Sequence, residues 1–178
     1  MKVSYCTNCH NRLWQLQQTL PHNLKFTKID EIEIVVLAYN DASIKPYLEE
    51  NYKEYLEDGR LNVYNHNDNL PYTFAHVKNL THGLAKGEIL FNLDSDNYID
   101  GVENILPTIT DNQLMITDKP LRDGRGGRIG MTRNTFNRLN GYRDNQRLPD
   151  DDDLILRAMA LGKILVKAQC LLVPIANT

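Results

Sequence analysis

Cysteine is scarce: three residues in 178, an odd number, give no disulfide framework. Long apolar runs are missing, and nothing approaches the roughly 20 residues that span a bilayer. The N-terminus, Met1-Lys2-Val3-Ser4-Tyr5, lacks the sustained apolar stretch of a secretory signal. Nor is there an excess of basic charge. Lys and Arg number 20 against 23 Asp and Glu, a formal net charge of −3 with histidine neutral, so the electrostatic footprint of a nucleic-acid binder is wanting. No internal repeat, low-complexity tract or linker interrupts the chain. These absences argue against a stapled secreted module, an integral membrane segment and a nucleic-acid partner, and the expectation is a cytoplasmic protein. What remains is ordinary globular composition, 42% hydrophobic and 24% charged, in a chain long enough for one domain with a real core.

The most informative stretch is Gly87-Glu88-Ile89-Leu90-Phe91-Asn92-Leu93-Asp94-Ser95-Asp96-Asn97. Ile89 to Leu93 reads as a buried strand, and it ends in two carboxylates one residue apart. In extended chain, side chains at i and i+2 lean the same way. Asp94 and Asp96 therefore crowd their charges, and each raises the other's cost of ionisation unless a cation relieves it. A hard divalent ion, Mg2+ or Mn2+, prefers such oxygen ligands and commonly shares them with substrate phosphates. The plainer reading is a polar turn, since Asp, Ser and Asn all favour turns. A helix–loop–helix calcium loop fits badly, because the sixth and twelfth places counted from Asp94 hold Ile99 and Ile105 instead of Gly and Glu.

Around that stretch, strand and helix patterns alternate. Val3 to Cys6 reads as a first strand. A helix capped by Asn11 carries Leu13, Leu16 and Leu20 on one face and ends at Pro21. Glu31 to Ala38 is a β-branched second strand, Ser43 to Asp58 a helix closed by Gly59, and Leu61 to Tyr64 a third strand. Residues 65–69 form a polar loop, and helical patterning runs from Thr73 to Ala85. This alternation predicts an α/β fold with a largely parallel sheet flanked by helices on both faces. Later candidates are strands at Gln113 to Thr117, Arg128 to Met131, Ile164 to Val166 and Cys170 to Val173, and a short helix from Thr132 to Leu139. Asp123-Gly124-Arg125-Gly126-Gly127 reads as a flexible connection, a candidate lid. Its glycines lack the strand-before, helix-after context of a dinucleotide fingerprint.

Two clusters invite chemistry. Cys6-Thr7-Asn8-Cys9-His10 satisfies the formal pattern for covalent haem attachment. The missing export signal argues against haem, and zinc would need a fourth ligand. Asp150-Asp151-Asp152-Asp153 opens a helix that runs to Gly162. One Asp there is ordinary capping, helped by the helix dipole. Four exceed it, and stand either as an over-capped solvent-facing turn or as the source of a general base whose proton affinity nearby amide donors hold down.

In this order the motifs resemble a nucleotide-sugar-dependent glycosyltransferase of the GT-A fold, nearest the inverting family 2, over almost the whole chain. Asn11-Arg12 resembles the pair that ends the family's opening turn. Asp41 stands where an acidic residue usually meets the nucleobase. Asn69-Leu70 with Lys78-Asn79 and Gly83 is similar to its Asn-Leu…Arg-Asn-x-Gly helix, with Lys for Arg and Pro71 for Gly. Asp94-Ser95-Asp96 matches the DxD motif, and Leu139-Asn140-Gly141-Tyr142-Arg143-Asp144 resembles a Gly-Gly-Phe-Asp-Glu segment. Asp150-Asp151-Asp152-Asp153-Leu154 resembles Glu-Asp-x-Asp-Leu, with Arg157 where an Arg often follows. No histidine follows His82, so a late His ligand seen in some relatives has no counterpart.

The resemblance implies sugar transfer from a nucleoside diphosphate sugar, a UDP-sugar foremost, to a glycan or other acceptor hydroxyl, with inversion. It implies a Mn2+ or Mg2+ ion on Asp96 and Asp94, and a nucleotide held by Thr7, Asn8, Cys9, Arg12, Asp41, Lys78 and Ser95. Asp151 is implied as the base, with Asp150 and Asp152 as acceptor contacts. Residues 1–97 would be the donor half and 98–178 the acceptor half of one domain. The short length implies a reduced acceptor site or one borrowed from a partner, with peripheral association with a polysaccharide assembly system. A nucleotidyltransferase would share the acidic strand end but release pyrophosphate, and a non-catalytic sugar- or nucleotide-binding module would keep the pocket without turnover.

Overall fold

The computed structural model describes residues 2–117, 126–144 and 147–176. In chain order its first half comprises β1 (Val3–Cys9), α1 (Leu13–Asn23), β2 (Ile32–Tyr39), α2 (Ile44–Asn51), α3 (Lys53–Glu57), β3 (Leu61–His66), α4 (Phe74–Leu84) and β4 (Ile89–Asn92). The second half comprises β5 (Gln113–Thr117), β6 (Gly130–Thr132), α5 (Arg133–Leu139), α6 (Asp150–Ala160) and β7 (Ile164–Ala168). Among the described residues the strands form one seven-stranded sheet in the order β3-β2-β1-β4-β6-β5-β7. β3, β2, β1 and β4 run parallel, β6 is antiparallel to both neighbours, and β5 and β7 are again parallel.

Alternation along the central strands explains the layers. In β2, Ile34, Val36 and Ala38 join Leu16, Leu20 and Leu48 on one face of the sheet. Val35, Leu37 and Tyr39 point the other way, where Leu37 and Tyr39 meet Val77 of α4. A strand sealed on both sides is mostly apolar, and β1, β2 and β4 are buried almost throughout, with Ser4, Thr7, Asn8, Glu33 and Asn92 as their buried polar positions. Each fully buried Leu, Ile or Phe there contributes about 1.5–3 kcal/mol. A third cluster, with Leu114, Met131, Leu139, Leu154 and Ala158, fastens α5 and α6 to β5 and β6. The one acidic side chain inside the parallel sheet is satisfied. Glu33 accepts from Ser4 Oγ at 2.6 Å, Asn62 Nδ2 at 2.7 Å and Lys86 N at 2.8 Å.

Several boundaries differ from the sequence-based expectation. β1 extends three residues beyond Cys6, so Thr7, Asn8 and Cys9 are strand, not turn. Asn11 takes a left-handed conformation (φ 54°) and Arg12 is the helix N-cap. Pro21 lies inside α1, in its last turn, where the loss of one amide donor is tolerated because Leu16, Leu20 and Leu24 stay buried. The helix expected over Ser43 to Asp58 breaks at Tyr52 (φ −132°, ψ 34°), whose ring packs edge-on against Tyr47. Residues 170–173 form no strand, and the strand expected over Arg128 to Met131 is shifted to Gly130–Thr132. The Asp123, Gly124 and Arg125 part of the expected lid lies outside the described residues.

Candidate active site

Parallel pairing brings the carboxyl ends of β1, β2, β3 and β4 to one edge. Strand order reverses between β1 and β4, which opens the crevice where open α/β sheets bind ligands. A cavity of about 200 Å³ lies there, lined by Asn8, His10, Arg12, Tyr72, Phe74, Asp94, Ser95 and Asp96.

The two acidic groups after β4 differ in setting. Asp96 is 8% exposed. Its carboxyl is raised, first by burial and then by the negative charge of Asp94, while Asn97 and Arg12 pull the other way. Arg12 Nη1 stands 3.4 Å from Asp96 Oδ2, and Asn97 Nδ2 donates to Asp96 Oδ1 at 2.8 Å. Asp94 accepts from Asn92 Nδ2 at 3.1 Å, and the same amide donates to the Gly127 carbonyl at 2.8 Å. A carboxylate pair whose residual repulsion still raises Asp96 is an all-oxygen donor set that suits a hard divalent cation.

Gly127 is the junction between the distant acidic stretches. A Cβ on it would lie 2.6 Å from Asp94 Oδ2 and 3.2 Å from Asp151 Oδ2. Only a residue without a side chain lets the strand-end carboxylate and the helix-start carboxylate close on the same backbone. The glycine expected in a flexible connection is thus packed against two acidic groups.

All four aspartates from Asp150 to Asp153 fall in the first turn of α6, whose N-cap is Pro149 with no side-chain cap bond. The expectation of an over-capped turn is replaced by pairing with cations. Lys78, 2% exposed, donates to Asp150 Oδ2 at 2.7 Å and to Asp151 Oδ1 at 2.6 Å, with its ammonium 5.0 Å from the centre of the Tyr142 ring. Burial alone would lower the Lys78 ammonium, but Asp94, Asp151 and Asp150 outweigh it and hold it charged. Asp151 is pushed up to about 6 by burial, with Asp150 and Asp94 adding to the rise and Lys78 opposing it. Burial and like charge thus outweigh the helix amides that are expected to hold this carboxyl down. Asp152 is half-buried on the same turn. Asp153 accepts from Arg157 Nε at 2.7 Å, and that guanidinium also donates to the Leu139 and Gly141 carbonyls at 2.5 and 2.8 Å, which ties α6 to the end of α5.

The remaining candidates divide. Asn8 faces the cavity and donates to the Tyr72 hydroxyl at 3.1 Å, whereas Thr7 and Cys9 are sealed in the strand and do not line it. Ser95 and Arg12 line it. Asp41 lies after β2 and accepts from Asn11 N at 3.0 Å, Ser43 N at 3.0 Å and Ser43 Oγ at 2.6 Å. Burial would raise it, but these bonds and His10 prevail and its carboxyl sits below the usual range. Lys78 stands at the acidic helix. Cys6 and Cys9 are three apart in a strand and sit in different core clusters on opposite faces. Burial raises both thiols, Cys9 to about 12. They form no haem or zinc grouping with His10, which donates Nδ1–H to the Tyr39 carbonyl at 2.8 Å and stacks on Tyr72.

Sequence reasoning missed His10, Tyr72, Phe74 and Gly127. The alternation of Asn8 with His10 at the end of β1 was a readable signal for the first; the other three depend on chain approaches that no local pattern encodes.

No family profile and no curated protein matches the chain, but solved structures do. The mannosyltransferase PcManGT from Pyrobaculum calidifontis, in complex with GDP-Man and Mn2+, superposes with a TM-score of 0.74 at 18% identity, over 95% of this chain and 56% of that one. S. aureus TarS 1-349 superposes at 0.67 with 15% identity, over 89% of this chain and 55% of its own, and its complex with UDP at 0.63 with 14% identity over the same shares. The chain spans about half the length of these proteins. Its fold is the GT-A fold that these nucleotide-sugar glycosyltransferases carry.

Proposed function

We propose that this chain is a glycosyltransferase domain that moves a sugar from a nucleoside diphosphate sugar to an acceptor hydroxyl, with inversion at the anomeric carbon. The observation that supports it most is the meeting of Asp94 and Asp151 over the bare Cα of Gly127, beside a cavity at the sheet's switch point. Residues 1–97 then serve the donor and 98–178 the acceptor. Asp96 and Asp94 would hold Mn2+ or Mg2+. When bound, such an ion supplies Lewis-acid neutralisation of charge on the diphosphate leaving group.

The chain's own groups do the rest. Asn8, Arg12, Ser95 and Asp41 hold the nucleotide, and His10 and Tyr72 wall the cavity. Asp151 takes the proton from the acceptor hydroxyl on the face opposite the leaving group. A carboxyl pushed up to about 6 stays ionised at neutral pH yet binds a proton more tightly than an ordinary carboxylate, which suits a general base. Lys78 holds that carboxylate in place, and we assign it to positioning the base in preference to the nucleotide. Asp150 and Asp152 orient acceptor hydroxyls. Uridine diphosphate sugars are the first donors to test and guanosine diphosphate mannose the second, because the solved neighbours carry UDP and GDP-Man. Among the described residues no helix is long and apolar enough to cross a membrane; a cytoplasmic location and peripheral attachment to a polysaccharide assembly system belong to the proposal.

A nucleotide-sugar panel with and without Mn2+, read by released nucleotide, tests the reading. Asp151→Asn should lower transfer by about a hundred- to ten-thousand-fold with donor affinity retained, whereas Asp96→Asn should weaken metal-dependent donor binding itself. Release of pyrophosphate, or transfer by Asp151→Asn at the parent rate, overturns the assignment.

A further inference from the structure

Beyond the acidic cavity, one group of side chains converges without a role in the reading above. His66 ends β3, Asp68 follows in the loop, and His76 lies in the first turn of α4. His66 Nε2 stands 2.8 Å and His76 Nε2 3.4 Å from the same atom, Asp68 Oδ2. The three ligand atoms all lie within 4.8 Å of one another. From these contacts we propose a second cation site at His66, Asp68 and His76, of the Zn2+ class and separate from Asp94 and Asp96. It stands independently of the glycosyltransferase reading.

Geometry favours an ion. Tetrahedral Zn2+, with its nitrogen and carboxylate ligands about 2.0–2.2 Å away, separates ligand atoms by roughly 3.3 Å. The two nitrogen–oxygen spacings, 2.8 and 3.4 Å, lie on either side of that value, and no two ligand atoms are more than 4.8 Å apart, so an ion would enter by small movements of the imidazoles. The carboxylate is already oriented for it. Asp68 Oδ1 accepts from the Tyr39 hydroxyl at 2.6 Å and from Leu70 N at 3.0 Å, while Asp68 N donates to Asn40 Oδ1 at 2.9 Å. Oδ2 is thereby left to the imidazoles. A hydrogen-bonded second oxygen is the outer support that metal-ligating carboxylates ordinarily have. The His66 ring also stacks on Tyr39 (centroids 5.6 Å apart, 16° between planes). All three ligands are half-buried, and both histidines line a cavity of about 460 Å³ through which an ion and a fourth ligand can arrive.

Donor chemistry separates the two sites. Two imidazole nitrogens and one carboxylate oxygen suit Zn2+ or Co2+, whereas the all-oxygen pair suits Mg2+ or Mn2+. An ion on His66, Asp68 and His76 would cross-link the end of β3 to the start of α4. It would so fix the segment 68–72, whose Tyr72 packs edge-on against Tyr39 and forms one wall of the acidic cavity.

The test uses untagged protein stripped with a chelator and then held in excess Mn2+ to fill the oxygen site. Titration with Co2+ should give visible d–d absorption that saturates at one equivalent, both in the parent and in Asp94→Asn/Asp96→Asn. The same band should vanish in His66→Gln/His76→Gln, and Tyr39→Phe should weaken binding about ten- to a hundredfold. Should the histidine variant fail to fold, a measurement on the parent decides. Zn2+ should protect His66 and His76, but not His10 or His22, from diethyl pyrocarbonate, read by peptide mass. Hydrogen bonding alone as the reason for the cluster, seen as no stoichiometric Co2+ binding in the parent, overturns the proposal. Binding that survives the histidine substitutions, binding lost with Asp94 and Asp96, or absence of protection does so equally.

Discussion

Asp151 and Gly127 carry the sharpest expectations at the scale of single residues. As the proposed base, Asp151, pushed up to about 6, must be ionised to accept a proton. kcat/KM should therefore be flat above that pH and fall about tenfold per pH unit below it, measured with saturating metal across pH 4.5–8 (roughly the span a carboxyl base needs). The sign follows from the chemistry: protonation silences a base, so activity is lost on the acid side. Gly127→Ala places a methyl 2.6 Å from Asp94 Oδ2, so that carboxylate must shift. Overpacking of this kind costs about 1–3 kcal/mol. Displacement of the carboxylates it touches should lower turnover roughly a hundredfold, and a stability measurement beside the assay separates the two effects.

At the scale of elements, α6 is held by its charges as much as by its apolar face. Leu154 and Ala158 anchor it to the sheet. Its first turn gathers four carboxylates that would repel one another if Lys78 and Arg157 did not divide them. Arg157 binds Asp153 and two carbonyls at the end of α5. Arg157→Ala should cost about 1.5–3 kcal/mol, the range for bonds to a charged group, read by urea unfolding. Because Asp151 lies on the same turn, that variant should also raise KM for the acceptor more than for the donor.

For the whole molecule, the site is a property of the sheet's edge. Four parallel strands deliver their ends to one crevice, so the proposed donor, bound there, would touch only the folded state and stabilise it. At a hundred times its Kd, a nucleotide sugar should add roughly 2.7 kcal/mol to unfolding. The melting temperature should rise in the presence of Mn2+ for the correct nucleobase and stay unchanged for the wrong one. Asp96→Asn should abolish the metal-dependent part of that rise.

Much of this was written in local pattern. β-Branched runs set β2, period-2 alternation sorts its side chains to two layers, and the acidic spacing Asp94-Ser95-Asp96 marks the strand end. These depend on neighbours in the chain, which sequence displays directly. What only tertiary structure decided involves residues far apart. Lys78 meets Asp150 and Asp151, more than seventy positions away, and Asp94 and Asp151 close together over Gly127. His66, Asp68 and His76 converge because β3 pairs with β2 while α4 packs over β1 and β2, though the loop between them carries no metal-binding spacing. The proton affinity of Asp151 belongs to the same class. It follows from burial and from the company of other charges, and neither exists until the chain has folded.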